Sequence, residues 1–390
     1  MKILLATESY WPNRDGGSVF ERALVHGLIK LGHEVRVAAP SPKAGGPYVE
    51  RDGRSDIHRT RSFRLPGKFG SVGARSSLLP ERFVRNLVEG YSPDLVHIHN
   101  PFGIGRAAMR AARKRRIPVV ATNHNMPENA VDNLRLLGKL IPNATERIWR
   151  WQIKFLNQAN FVTSPTETAV DMLVAHGLTV PHRPISNGVD VRRFDPSVSA
   201  AALRRKLHLP EKPIVLYLGR LDGEKRMDVW LDAVPKVRKE IDAHFLIGGR
   251  GGEVAALKRR AVSLGVSHNV TFAGEVADTD LPAFYRLGTV FAISSPAELQ
   301  SIVTLEVMAA GLPVVAADAA ALPELCQSGR NGYLFLPGSA DGLAKSLTRI
   351  LQNPAMSTQM GAESRKIIEE SHDLRKMPTN YEAVYKEALR

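Results

Sequence analysis

Short runs of consecutive apolar residues alternate along this chain with longer stretches in which apolar side chains return every third or fourth position. The first kind suits strands buried on both faces, and the second suits helices packed by one face. Residues 2–6 read as a strand, 7–17 as a loop, 18–31 as a helix capped by Ser18 and closed by Gly32, and 34–39 as a second strand. Residues 41–81 are rich in glycine, proline and arginine and show no period. They are expected to form a long mobile excursion in which Phe63, Leu65, Phe69, Leu78 and Leu79 alternate with basic residues. Order then returns: Phe83, Val84, Leu87 and Val88 mark a helix, 94–101 a strand running into a polar loop, 106–115 a helix, and 118–122 a strand that delivers Asn123, His124 and Asn125. Helical material over 126–160 carries Trp149 and Trp151, followed by a strand at 161–164, a helix at 168–176 and an expected hinge at 181–187.

The second half repeats the alternation, with strands at 214–217, 244–247, 270–273 and 290–293 and helices at 228–239, 254–264 and about 280–287. The economical fold is α/β, with two doubly wound parallel-sheet domains, 1–182 and 183–377. Ligands of such sheets bind beyond the carboxyl ends of the strands, which places His99 and His124 where chemistry would occur. His97 and His99 are read as facing opposite sides of their strand, so that they cannot share a metal and one of them belongs to the core.

The most informative segment is 294–313, Ser-Ser-Pro-Ala-Glu-Leu-Gln-Ser-Ile-Val-Thr-Leu-Glu-Val-Met-Ala-Ala-Gly-Leu-Pro. It reads as a loop entering a helix, with Glu298 on the loop and Glu306 about one turn inside. The helix start offers amides, those of Val303 and Thr304, to an anion, and a carboxylate beside it can accept hydrogen bonds from both hydroxyls of a ribose. Gly16 and Gly17, at a loop-to-helix junction, would let amides approach a phosphate, although a turn alone explains them equally well. Gly249-Arg250-Gly251-Gly252 reads as a tight connection, with base recognition as the alternative. Asp278-Thr279-Asp280 precedes a helix and reads as a cap instead of a metal site.

The run 305–316, Leu-Glu-Val-Met-Ala-Ala-Gly-Leu-Pro-Val-Val-Ala, followed by Pro323-Glu324-Leu325, resembles the signature of retaining family-4 glycosyltransferases. Asn187-Gly188-Val189-Asp190 resembles their interdomain motif, and Leu218-Gly219-Arg220-Leu221-Asp222-Gly223-Glu224-Lys225-Arg226 their basic motif. The resemblance covers nearly the whole chain. It implies the GT-B fold, two Rossmann-like domains facing a central cleft, with the last helix, 378–390, packing back on the first domain. It also implies roles. Arg220 and Lys225 would stabilise the departing diphosphate in place of a metal, and Glu306 would hold the ribose. Glu298, with the amides of Leu299, Gln300 and Ser301, would hold the transferred sugar, and the Ile302, Val303 and Thr304 turn would complete the donor site with Gly16 and Gly17. His124 would lie beside the sugar, with His99 and Asn123 on the acceptor side. No cofactor and no metal are implied, only a nucleotide-sugar donor. Glu298-x-Gln300 departs from the glycine common after the first glutamate and resembles bacterial diacylglycerol glucosyltransferases, which points to UDP-glucose and a lipid acceptor.

Charge sharpens that expectation. Residues 1–200 hold 29 Lys+Arg against 17 Asp+Glu, whereas 201–390 hold 24 against 22. The excess gathers at Arg51, Arg54, Arg59, Arg61, Arg64 and Lys68 and again at Arg110, Arg113, Lys114, Arg115 and Arg116, a distribution suited to an anionic membrane surface. Aromatic residues make up only 6%, too few for a base-stacking surface, and no nucleic-acid motif is present. The single Cys326 fits a reducing compartment, and no stretch is apolar enough to span a bilayer. The expected location is cytoplasmic, peripheral on the inner face of the cell membrane. Four alternatives stay open: a polysaccharide-building transferase, GDP-mannose transfer to a phosphoinositol lipid, a nucleotide-sugar epimerase, and a non-catalytic nucleotide-sugar sensor.

Overall fold

The computed structural model describes residues 1–13, 16–65, 75–128 and 143–390. These fall into two compact units, one comprising Met1–Asn187 with Leu374–Arg390, the other Gly188–Asp373.

The first unit is built on β1 (Lys2–Ala6), β2 (Glu34–Pro40), β3 (Tyr48–Asp52), β4 (Ser55–Thr60), β7 (Leu95–Ile98), β8 (Val119–Thr122), β9 (Phe161–Ser164) and β10 (His182–Pro184), in the order β10-β9-β8-β7-β1-β2-β4-β3. Pairing is parallel except at β3–β4. The residues of β7, β8 and β9 are buried throughout, as strands sandwiched between helices must be. The helix opening this unit spans Gly16–Lys30. Ser18 therefore lies within it and does not cap it, and its hydroxyl meets that of Ser9 at 2.8 Å.

Two expectations for this unit are overturned. The described residues of 41–81 do not form a structureless excursion: Tyr48–Asp52 and Ser55–Thr60 extend the main sheet, while β5 (Ser62–Arg64) and β6 (Arg75–Ser77) pair as a ribbon. Edge strands are half solvated and read as polar, so apolar periodicity does not mark them. Lys68, Phe69 and residues 129–142 of the expected helical stretch lie outside the described residues. The 181–187 hinge is also partly a strand, because His182–Pro184 pairs with Val162–Ser164.

Arg59, read as a surface charge, is 1% exposed; it bonds Glu50 at 2.7 Å and the Pro40 and Trp11 carbonyls. It braces the loop after β1 to the sheet edge. Glu8 does similar work on the other side of that loop: its carboxylate accepts from the Ser76 and Ser77 hydroxyls, the Ser77 amide and, at 2.6 Å, the Ile104 amide that opens the Gly103–Lys114 helix. The C-terminal helix Met377–Ala388 also belongs to this unit and contributes Tyr381 and Tyr385 to its core.

The second unit holds β11 (Ile214–Leu218), β12 (His244–Gly248), β13 (Val270–Gly274), β14 (Val290–Ile293), β15 (Val314–Ala317) and β16 (Gly332–Phe335), all parallel, in the order β13-β12-β11-β14-β15-β16. The order reverses between β11 and β14, a switch point where the two outgoing loops must diverge and leave a crevice. Cys326 is buried here, its thiol on the Val314 carbonyl at 3.3 Å; burial pushes its pKa up to about 12, so it packs and does not react.

Candidate donor and acceptor sites

In the second unit, the loop after β11 carries Arg220 and Lys225 and the loop after β14 carries Glu298, so the switch point brings together residues separated by more than seventy positions. Lys225 Nζ lies 2.6 Å from Glu298 Oε1, with both side chains mostly buried. The Ser294 hydroxyl fixes the two loops by donating to the Lys225 and Arg226 carbonyls at 2.9 and 2.8 Å. Arg220 is half exposed and is held by Asp222 at 2.9 Å and by Glu224, which is itself buried. The cations are therefore paired and aimed, which fixes where a phosphate would have to compete for them.

Gly249 explains the glycine loop. Its φ of +121° is open to glycine, and a β-carbon there would stand 1.9 Å from the Gly219 carbonyl oxygen. Leu221 N bonds Arg250 O, and Gly252 N bonds Asp222 Oδ1 at 2.9 Å. The loop thus packs against the backbone of the basic motif, which supports the reading as a tight connection.

The helix Ile302–Ala309 starts at Ser301, whose hydroxyl accepts from the Thr304 amide at 3.2 Å. Thr304 N, expected to face an anion, is consumed by this cap. The amides of Ile302 and Val303 are the ones that helix geometry leaves without intrahelical acceptors. Leu299 and Gln300 are buried, and the Glu298 carbonyl is held by Ala321 N at 3.1 Å. Glu306 accepts a 2.5 Å hydrogen bond from Tyr285. Burial pushes its carboxyl up to about 7 against the downward pull of that bond. Tyr285 gave no sequence signal, because a tyrosine on an apolar helix reads as core. The other expected cap fails too: Asp278 pairs with Arg193 at 2.8 Å and Asp280 with Lys206 at 3.5 Å, and neither carboxylate caps the Leu281–Tyr285 helix.

In the first unit the same position relative to the sheet is lined differently. Gly16 and Gly17 form the first turn of the opening helix. His99 follows β7, and Asn123 and His124 follow β8. Asn123 Oδ1 accepts from Gln152 Nε2 at 2.8 Å and from Asn125 N at 3.1 Å, which fixes the turn carrying His124. His99 Nδ1 stands 3.4 Å from His124 Nε2, and Phe20 packs its edge on both rings. His97 and His99 do not face opposite sides. Strand alternation has a period of two, so positions i and i+2 share a face, and the ring centroids are 4.1 Å apart. His97 and His99 are both buried, and His97 anchors a polar chain, with Nδ1 on Tyr385 Oη at 2.8 Å and Nε2 on Thr122 Oγ1 at 2.7 Å. Burial holds its pKa down to about 3, so it stays neutral. Among the described residues no cluster of histidine, cysteine and carboxylate groups could hold a metal ion.

The description "Glycosyltransferase Family 4" matches residues 14–193, and "Glycosyl transferases group 1" matches residues 199–367. Among curated relatives, a GDP-mannose-dependent alpha-mannosyltransferase of Mycolicibacterium smegmatis is 28% identical, with 94% of this chain and 90% of that protein covered. An alpha-monoglucosyldiacylglycerol synthase of Acholeplasma laidlawii is 27% identical, with 91% and 89% covered. Among solved structures, a sucrose-phosphate synthase from Thermosynechococcus elongatus superposes with a TM-score of 0.78 at 21% identity over 99% of this chain and 98% of that one. With two parallel Rossmann-like sheets, each matched by its own family description, the chain belongs to the family-4 glycosyltransferases, hexosyl-transferring enzymes of the GT-B fold.

Proposed function

We propose that the enzyme moves a hexose from a nucleotide diphosphate sugar to a membrane lipid, with retention of anomeric configuration and without a metal or cofactor, using UDP-glucose and a diacylglycerol-type acceptor. The observation that carries this reading is the Lys225–Glu298 contact at the switch point, 2.6 Å long, in the sequence neighbourhood of Glu306. A donor entering there exchanges the Glu298 carboxylate for its diphosphate on Lys225, and releases Glu298 to accept hydroxyls of the sugar. Breaking the bond between the anomeric carbon and the phosphate oxygen leaves positive charge on the sugar and negative charge on the diphosphate. Arg220, Lys225 and the Ile302 and Val303 amides are oriented before that charge develops. The acceptor hydroxyl attacks from the face the phosphate leaves and gives its proton to the departing phosphate oxygen, so no enzymic nucleophile is needed. Glu306 and Tyr285 hold the ribose, His124 lies beside the transferred sugar, and His99 and Asn123 lie on the acceptor side.

The lipid acceptor is supported by Glu298-x-Gln300, by the Acholeplasma relative, and by exposed Phe63, Leu78 and Leu79 beside exposed Arg61 and Arg64. No helix among the described residues is long and apolar enough to cross a membrane, so a membrane acceptor would be met peripherally. A second reading, GDP-mannose with a phosphoinositol lipid, is favoured by the mycobacterial relatives.

The deciding experiment offers UDP-glucose, UDP-galactose, GDP-mannose and ADP-glucose in turn with vesicles of diacylglycerol or phosphatidylinositol, and follows labelled lipid. Transfer from UDP-glucose to diacylglycerol is expected. Transfer only from GDP-mannose would install the second reading, and no labelled lipid from any donor would overturn both.

A further inference from the structure

His99 is fully buried, yet its Nε2 has no hydrogen-bond partner among the described residues. Its Nδ1, by contrast, has two polar neighbours: His124 Nε2 at 3.4 Å and the carboxylate oxygen Glu21 Oε1 at 3.8 Å. Glu21 is fixed there by the Thr7 hydroxyl, which donates to its Oε1 at 2.8 Å. The His99 and His124 rings are nearly parallel, 9° apart, and Phe20 edges onto both, so neither ring can turn without disturbing the other. A buried neutral imidazole carries one proton, and which nitrogen holds it is set by the partners around the ring. Burial, with His97 and His124 close by, keeps His99 neutral.

We infer that His99 is a positioning residue: its Nδ1–H donates to His124 Nε2 and thereby sets His124 as the Nδ1–H tautomer. An N–H on His99 Nε2 would leave a buried donor unpaired and turn the Nδ1 lone pair toward the Glu21 carboxylate oxygen. In the fixed arrangement the Nε2 lone pair of His124 is occupied, so that nitrogen does not act as a base. This rests on the proposed place of His124 beside the transferred sugar, but the tautomer itself does not depend on catalysis.

The test labels the histidines with 15N in the full chain, assigns His124 from the His124→Asn spectrum, and reads ring-nitrogen shifts in wild type, His99→Asn and His99→Phe. Asparagine places an amide N–H near the Nδ1 position, and phenylalanine keeps the volume without a donor. Wild type and H99N are expected to show protonated Nδ1 and bare Nε2 on His124, and H99F to lose that preference. In transfer assays kcat is expected to fall about tenfold in H99F, with donor KM unchanged and most of the rate kept in H99N. A His124 protonated on Nε2 in wild type, or one whose tautomer is unaltered in H99F, overturns the inference whether or not any donor is found. A rate loss equal in H99N and H99F overturns it as well, since packing alone would then explain His99.

Discussion

The two units share a parallel, helix-covered architecture and present the carboxyl ends of their central strands, yet they equip that position with opposite chemistry. In the second unit it is ionic: Arg220, Lys225, Glu224 and Glu298 are locked in pairs. In the first it is built mainly from neutral hydrogen-bonding groups: His97 bonds Thr122 and Tyr385, His99 meets His124, and Asn123 bonds Gln152, with burial keeping His97 and His99 uncharged. Under the proposed function, the difference follows from what each half has to meet. Diphosphate recognition gains from fixed cations, whereas a sugar and a hydroxyl acceptor are held by directional donors that would be wasted on a hydrated charge. A common fold thus says little about function until its crevice residues are named.

This contrast can be broken experimentally. Lys225→Ala should lose on the order of 2 to 4 kcal/mol of transition-state stabilisation in kcat/KM while Tm stays near wild type. Near-normal turnover would mean that the ionic crevice is structural. Arg59→Ala should do the reverse, because this cation of the first unit is spent on bracing carbonyls; a stability loss of about 2 kcal/mol, read by denaturant unfolding, is expected. Unchanged stability would place Arg59 among the surface charges.

The Glu306 carboxyl, raised from 4.5 to about 7, gives a pH signature. Between those values the folded chain keeps a proton that the unfolded chain has released, so this group makes stability fall as pH rises, with a slope of at most about 1.4 kcal/mol per pH unit. Glu306→Gln should flatten the unfolding curve between pH 5 and 7 relative to wild type. Equal slopes would show an ionised Glu306. Smallest is the surface effect: neutralising Arg61 and Arg64 should weaken binding to anionic vesicles by about 1 kcal/mol per charge, in a salt-sensitive manner. If sedimentation with vesicles does not change, the exposed basic ribbon is not the membrane contact.

Much of the fold is legible in the sequence because doubly buried parallel strands leave unbroken apolar runs. Val290–Ile293 and Val119–Thr122 could hardly be anything else. Where a strand is solvated, as at Tyr48–Asp52 and Ser62–Arg64, the signal vanishes into arginine, serine and glutamate. Within the site, Arg220, Lys225, Glu298 and Glu306 stand out by motif, whereas their partners do not. Tyr285, Glu224 and Ser294 matter through distances that only the folded chain sets. The histidines mislead for a different reason, since the arithmetic of strand alternation, correctly applied, already puts His97 and His99 on one side. Glu8 and Arg59 look like surface charges until the loop after β1 is seen to need holding from both flanks.

The C-terminal helix has a consequence for how the protein is made. Tyr385 completes His97, and Tyr381 Oη reaches Thr122 and Thr163 at 3.3 and 3.4 Å, yet these tyrosines are synthesised after the whole of the second unit. A nascent chain therefore holds the whole first sheet and still lacks the groups that quench its interior polar atoms. Its N-terminal half reaches the native state only after Tyr381 and Tyr385 have emerged, and the second unit, made before them, is free to finish first.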